Sequence, residues 1–154
     1  MNVFFLDHCP KQSARDLGDK HIGKMLLESC QMMSTAARLH GFDGGYASAY
    51  QNHPMTKWVG ESYLHYEWVL SHAIELAKEH ERRFGTTHKS SMLLPTLAVA
   101  CHTVMPDEGW SNPPRCMPNE FKIGKSWVES YRNYYRLAKA HLHKWTNAEV
   151  PQWL

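Results

Sequence analysis

Apolar and aromatic residues recur at spacings of three and four along most of this chain, which is the period of an amphipathic α-helix. The longest such stripe lies between Pro54 and Phe84 and consists of Val59, Tyr63, Tyr66, Leu70, Ala73 and Ala77. Gly85 follows it, and glycine is a common helix terminator. We therefore predict one uninterrupted central helix from Pro54 to Phe84. The core is expected to include Trp58, Tyr66, Trp68 and Leu70.

Turn-forming residues divide the rest of the chain into further helical segments. The predicted helices are a short one from Pro10 to Gly18 and longer ones over residues 19–39, 90–104 and 120–145. Prolines crowd residues 105–119, which we expect to form an ordered loop. A short apolar run over residues 2–6 lies before the first predicted helix. These patterns predict an all-α, compact single-domain helical bundle over residues 1–154, with a long central helix and a short extended N-terminal arm.

The composition narrows the class of protein without revealing its activity. Charged residues make up 21% and the formal net charge is only +2, so bulk charge does not indicate a nucleic-acid-binding protein. The 11 histidines, several of them beside Lys or Arg, can raise the local positive charge in mildly acidic solution. No long apolar run and no secretory leader occurs, and the cysteines form no CxxC pair. We therefore expect a cytoplasmic protein with reduced thiols, no membrane contact and no cofactor.

The most informative polar residues lie on the predicted helix over residues 19–39. His21 and Glu28 are two helical turns apart, so they share one face of that helix. Lys24 lies between them, and Gln31 extends the same face by one turn. A carboxylate, an imidazole and an ammonium beside an apolar stripe are suited to moving protons. The alternative is a solvent-exposed helix face with no chemical role.

Three other places combine cations and hydrogen-bond donors in a way that suits phosphate binding. Asn52-His53-Pro54 begins the predicted central helix and His88-Lys89 precedes the next helix, where free backbone N–H groups point outward. Arg132 lies among tyrosines that could stack on bases. Ordinary helix capping and core packing are the alternatives. The candidate substrate- or DNA-binding residues are Lys20, Lys24, Gln31, Asn52, His53, His88, Lys89 and Arg132.

Two further constellations are weaker. The residues that could ligate zinc, without the close and regular spacing of zinc sites, are Asp7, His8, Cys9 and His21, and also Cys101, His102 and Cys116. A second possible catalytic group on one face of the predicted central helix consists of Glu61, His65 and His72. We expect packed thiols rather than a metal site, and a polar contact between helices rather than a second catalytic pair.

Two motifs connect this chain with known proteins. Asp19-Lys20-His21 precedes the helical Glu28, and Tyr50-Gln51-Asn52-His53-Pro54 opens the predicted central helix. Over roughly residues 2–89 the chain resembles the pyrimidine-dimer DNA glycosylase family, the small all-helical enzymes of the endonuclease V type. Over nearly its whole length it also resembles a group of small tailed-phage proteins, in part through Tyr131-Arg132-Asn133-Tyr134-Tyr135.

The glycosylase resemblance implies a specific chemistry. Enzymes of this family use a primary amine at the chain start to attack C1′ of the sugar, and a helical Glu moves protons through imine formation and β-elimination. Carried over, Glu28 is the acid/base and His21 lies against the damaged nucleotide. Because Asn2 is too bulky for efficient methionine removal, the nucleophile is expected to be the amine of Met1. The implied partner is DNA, with duplex carrying a lesion or a modified base as the substrate.

Two positions depart from the family pattern. Leu27 and Gln31 occupy places where the family member best matched around the Glu has arginines that grip phosphate. Two alternatives to the family reaction therefore remain. The substrate could be another damaged or modified base, or the lyase step could be absent. Two alternative functions remain: a non-catalytic nucleic-acid- or protein-binding phage factor on the same fold, acting in the host cytoplasm, and a metal-dependent nucleotide hydrolase, which only the histidine and cysteine content supports.

Overall fold

The structure, a computed structural model that describes all 154 residues, consists of helices and irregular segments without any β-strand. The helices are α1 (Pro10–Asp16), α2 (Asp19–Leu39), α3 (Pro54–Glu61), α4 (Tyr63–Phe84), α5 (Leu94–Thr103) and α6 (Trp127–Ala138). Short 3-10 helices cover Lys89–Leu93, Asn119–Phe121 and Ala140–Leu142. The predicted all-α fold is therefore confirmed. None of the helices combines the length and the apolar character that crossing a lipid bilayer requires.

Helix α2 packs against three of the other helices, α3, α4 and α5. It begins at Asp19 and ends at Leu39, as predicted, and Gly41 takes the positive φ of 86° that a turn after a helix requires. Its apolar face is buried against α3, α4 and α5. Since α2 also carries Glu28 on its partly exposed side, the core fixes the position of that carboxylate.

The central helix is two helices rather than one, so the prediction of an uninterrupted helix was wrong. Ser62 is extended, with φ −155° and ψ 148°, and separates α3 from α4. The Tyr63 N–H donates to the Pro106 carbonyl (2.6 Å), and the Ser62 hydroxyl accepts from the Glu108 N–H (3.3 Å). A loop more than 40 residues away thus replaces the helical hydrogen bonds at the break.

The later helices are shorter than the sequence indicated. A 3-10 turn over Lys89–Leu93 precedes α5, which has Pro95 in its first turn, where the missing N–H is harmless. Helix α6 begins only at Trp127, because Ser126 and Glu129 form a reciprocal capping box. Residues 105–119 form a loop without an α-helix or a strand, as predicted.

The N-terminal arm is extended, as predicted, but it is buried rather than laid on the surface. Residues 3–6 are each at most 4% exposed. Phe4 packs against Tyr131 and Tyr135, and Phe5 against Trp58 and Trp68. The arm is therefore part of the core cluster of 29 buried residues and joins the first and last parts of the chain.

The predicted core residues of the central region are mostly buried. Trp58, Tyr66 and Leu70 are at most 6% exposed. Trp68 lies at the edge of the core instead, because its indole N–H donates to the carbonyl of His8 (2.9 Å) in the arm.

We expect Leu70→Ala to lower the free energy of unfolding by about 2–5 kcal/mol, because it leaves a cavity beneath α4. Chemical denaturation monitored by circular dichroism measures this change. Leu137→Ala is the matched control, since Leu137 is 63% exposed and its loss should change stability by less than about 0.5 kcal/mol. Equal effects of the two substitutions would contradict the burial of Leu70.

Candidate active site

The start of the chain lies against Glu28. The α-amine nitrogen of Met1 is 3.7 Å from Glu28 Oε2, and the backbone N–H of Asn2 donates to the same oxygen at 2.7 Å. The other carboxylate oxygen, Oε1, is 4.0 Å from the ammonium of Lys24. The Glu28 side chain is only 12% exposed. A primary amine, a carboxylate and an ammonium therefore meet in a partly buried place.

Asn2 and Met1 are held by contacts on both sides. The Asn2 amide oxygen accepts from the Val3 N–H (2.9 Å) and lies 3.1 Å from the Tyr131 hydroxyl, while its NH₂ group donates to the carbonyl of Cys116 (2.8 Å). The Met1 side chain is 2% exposed, with its sulfur 3.9 Å from the Thr56 hydroxyl. The amine is thus attached to a fixed segment rather than to a free end of the chain.

His53 faces the same place from the start of α3. Its Nδ1 accepts from the Met55 N–H (3.1 Å), so the neutral ring carries its proton on Nε2. Burial lowers the pKa of His53, the Met1 amine adds to this, and Glu28 opposes it. His53 is therefore a neutral imidazole at physiological pH, within electrostatic range of both the amine and the carboxylate.

The segment around Cys116 approaches the N-terminus, and no sequence pattern indicated this contact. Burial raises the pKa of the Cys116 thiol, while the nearby Lys122 ammonium and the Met1 amine act in the opposite direction. Arg115 precedes Cys116, and its guanidinium donates to the Lys122 carbonyl (3.4 Å) without a carboxylate partner. Cys116 and Lys122 lie more than 100 residues from Met1 in the chain, so only the folded structure reveals that they are near the N-terminus.

Several of the predicted binding residues gather beside Gly23 on α2. The ring of His88 packs so closely there that a Cβ on Gly23 would lie 3.3 Å from His88 Cδ2. Burial and the neighbouring His80 lower the pKa of His88. Lys20 and Lys24 on α2, Lys89 beside His88 and Asn52 beside His53 are exposed, whereas Gln31 is half-buried. Of these side chains, Lys24 contacts Glu28 directly, at 4.0 Å.

His21 lies in the core, contrary to the prediction that it lines the site with Glu28. Its ring is 4% exposed, contacts Phe4 and has Nδ1 2.8 Å from the Tyr135 hydroxyl. Burial, reinforced by the cations of Lys139 and Lys24, lowers the pKa of His21 to about 4. An enclosed neutral imidazole cannot contact DNA, so the predicted role of His21 against the damaged nucleotide is not supported.

Asp19, in the same motif as His21, has a structural role as well. Asp19 accepts from the backbone N–H and the hydroxyl of Thr146 (2.7 Å to the latter) and from the buried guanidinium of Arg83 (3.3 Å). Although burial opposes it, these hydrogen bonds hold the pKa of Asp19 below its ordinary value. The Asp19-Lys20-His21 motif therefore joins α2 to the C-terminal part of the chain.

Arg132 also has a structural position rather than the predicted DNA-facing one. Its guanidinium donates to the Leu6 carbonyl (2.6 Å) and to the Asp7 carboxylate (3.1 Å), and it stacks over Trp153 at 5.1 Å. These contacts occupy the cation and fasten the end of the N-terminal arm to α6. The prediction failed because the tyrosines around Arg132 pack in the core instead of facing solvent.

The weaker constellations do not form sites. No group of three or more His, Cys, Asp or Glu side chains is arranged to hold a metal ion. Glu61 is exposed at the end of α3, whereas His65 is buried and accepts from the Ser111 N–H (2.8 Å), so the break at Ser62 separates them. His72 is fully buried on α4, and neither of its ring nitrogens has a hydrogen-bond partner.

An all-α protein with a primary amine beside a helical carboxylate has the groups that imine-forming enzymes use. The chain belongs to the pyrimidine dimer DNA glycosylase family, whose model matches residues 1–92. The matched part includes Met1, Glu28 and His53 and ends before Cys116 and Tyr131, which hold Asn2 in place. No curated protein and no solved structure shows a significant match to the chain.

We expect His72→Leu to stabilise the protein at pH 7, by about 1–3 kcal/mol, because it removes two buried polar atoms that have no partners. Burial lowers the pKa of His72 from 6.5 to about 3, so the unfolded chain takes up a proton in this range and the folded chain does not. Stability is therefore lost as pH falls from 6.5 towards 3, and the variant should show a shallower loss.

Urea unfolding at a series of pH values measures both effects. The exposed His141→Gln is the control and should leave the pH dependence unchanged. A clear loss of stability in His72→Leu at pH 7 would contradict the burial of His72 without hydrogen-bond partners.

Proposed function

We propose that this member of the glycosylase family removes a damaged or modified pyrimidine from duplex DNA, with Met1 as nucleophile and Glu28 as acid/base. The observation that carries the proposal is the 3.7 Å separation between the Met1 amine and Glu28 Oε2. The cations around Glu28 fit a polyanionic substrate. We propose that the enzyme acts on DNA in the cytoplasm of a bacterium or of a phage-infected cell.

The proposed reaction has a glycosylase step followed by a lyase step. The neutral Met1 amine attacks C1′, and the new C–N bond forms as the glycosidic bond breaks and the base leaves with its electron pair, to be protonated by solvent. Glu28 takes the proton that the amine loses and delivers it to the sugar ring oxygen, so that the ring opens to an imine. In the lyase step the Glu28 carboxylate, which has given up its proton, removes a C2′ proton, and the electron pair of that C–H bond expels the 3′ phosphate by β-elimination.

Two features of the structure help the Met1 amine to react. The Asn2 N–H donates to Glu28 Oε2 (2.7 Å), which favours a carboxylate orientation towards the amine. His53 offers an Nε2–H donor at the open side of the site, where it can hold a phosphate or the leaving base.

The proposed DNA-binding surface includes Lys20, Lys24, Gln31, Asn52, His88 and Lys89. Lys24 lies 4.0 Å from Glu28, and His88 packs against Gly23 on the same helix. Lys122 adds a cation near the N-terminus. These cations would hold the phosphates that flank the damaged nucleotide, since most protein–DNA hydrogen bonds go to the backbone.

A non-catalytic DNA- or protein-binding role is the second candidate. Its support is the exposed side of α2 next to Glu28, where Leu27 is 36% exposed and no guanidinium is present. A metal-dependent hydrolase lacks a comparable observation, because no cluster of metal-binding side chains occurs.

We expect the wild-type chain to form a borohydride-trapped adduct with duplex DNA that carries a pyrimidine dimer or an abasic site. Glu28→Gln should lower the trapping rate by about 10²–10⁴-fold, because the amide cannot move protons. Denaturing electrophoresis of the trapped complex measures the rate. Glu61→Gln, which removes an exposed carboxylate at the end of α3, is the matched control and should trap within about twofold of wild type.

The outcomes separate the candidates. Trapping on the abasic duplex alone would retain the lyase chemistry and redirect the search to another modified base. DNA binding without an adduct on either duplex would contradict the catalytic proposal and favour the non-catalytic DNA-binding role. Failure to bind duplex DNA even at low salt, where phosphate contacts are strongest, would favour a protein-binding role.

A further inference from the structure

Tyr50 has a backbone conformation that tyrosine rarely adopts. Its φ is 52°, in the left-handed region that favours glycine. Asn147 is the other non-glycine residue with positive φ, and asparagine tolerates this region because of its short polar side chain. Strain at a residue as large as tyrosine persists only where the surrounding structure imposes it, and such residues cluster at functional sites.

The ring of Tyr50 projects into solvent. It is 66% exposed, which makes it the most exposed aromatic side chain of the protein, ahead of Trp110 at 42% and Phe84 at 38%. The ring contributes little to the core, so packing does not explain why a tyrosine occupies a strained position. A large apolar surface on a rigid loop suits contact with another molecule.

The loop that carries Tyr50 is fastened to the Glu28 face of α2. The Thr35 hydroxyl accepts from the Ala49 N–H (3.0 Å), and its one proton can go to the Gln31 carbonyl (3.0 Å) or to the Ala49 carbonyl (3.1 Å). Thr35 lies two helical turns after Glu28, on the same face of α2. On the other side, the Tyr50 carbonyl accepts from the N–H of His53 (2.9 Å).

We propose that Tyr50 stacks on a nucleobase of the bound DNA beside the damaged nucleotide, a role that rests on the proposed function. Aromatic rings stack on any base, because every base presents a π-face, and such a ring can fill the gap left when a nucleotide is turned out of the duplex. Hydrogen bonds on both sides of Tyr50 hold its backbone in place before DNA binds, so little backbone freedom is lost on binding. The basic residues around Glu28 bring the phosphate backbone to the same edge.

The test measures the affinity of duplexes with and without a tetrahydrofuran residue, an abasic analogue that cannot form an imine. Tyr50→Asn removes the ring and places a residue suited to positive φ, so the melting temperature should stay the same or rise. We expect its affinity for the tetrahydrofuran duplex to fall roughly 5- to 150-fold, with a smaller fall for the intact duplex. Tyr50→Phe and Tyr50→Trp should bind within about twofold of wild type.

Leu137→Asn is the matched control, because Leu137 is 63% exposed on α6. It should leave both affinities unchanged. Equal binding by Tyr50→Asn and wild type would overturn the stacking role while leaving the glycosylase proposal intact. An equal fall on both duplexes would also overturn it, since this indicates a general surface contact. A wild-type protein that binds neither duplex would overturn both proposals, and a protein partner would then be the better occupant of this ring.

Discussion

The candidate site depends on the burial of the N-terminal arm. Phe4 and Phe5 lie within the core, and the aromatic rings of α3, α4 and α6 surround them. Ordering a chain end costs roughly 1–2 kcal/mol of backbone entropy per residue, whereas burying a large apolar side chain contributes about 1.5–3 kcal/mol. The apolar side chains of residues 3–6 therefore offset the ordering of residues 1–6. As a result, a terminal amine that would otherwise move freely is held beside a carboxylate.

A second constraint fixes the helix that carries this carboxylate. Arg83 on α4 is fully buried and contacts the carboxylates of Glu79 (3.1 Å) and Asp19 (3.3 Å) as well as the Leu17 carbonyl (2.8 Å). A buried guanidinium is tolerated because each of its three nitrogens has an acceptor and two carboxylates balance its charge. Through Asp19 this network sets the start of α2 relative to α4. Asp19 and His21 thus support the site indirectly, by fixing the position of α2.

The sequence was sufficient where local signals decide the structure. The bounds of α2 follow from its apolar period and from Gly41, and the start of α3 follows from His53 and Pro54. It was insufficient where a distant segment decides. The break at Ser62 depends on Pro106, and the burial of His21 depends on Tyr135, 114 residues away. No local pattern contains either partner.

The same reasoning applies to the site itself. The pairing of Glu28 with the chain start was expected from the resemblance to the glycosylase family, and the helical period alone would have paired Glu28 with His21. The approach of Cys116 and Lys122 to the N-terminus could not be predicted, because both residues lie beyond those that the family model matches. Helical periodicity identifies residues that share a face, but only tertiary packing determines whether that face meets solvent or the core.

The identity of the nucleophile is the most direct test of this account. The borohydride-trapped complex can be digested with a protease, and the peptide that carries the sugar remnant can be sequenced by mass spectrometry. The account predicts that the remnant is attached to the α-amine of Met1. Attachment to a lysine such as Lys24, or to an Asn2 amine exposed by removal of Met1, would contradict it.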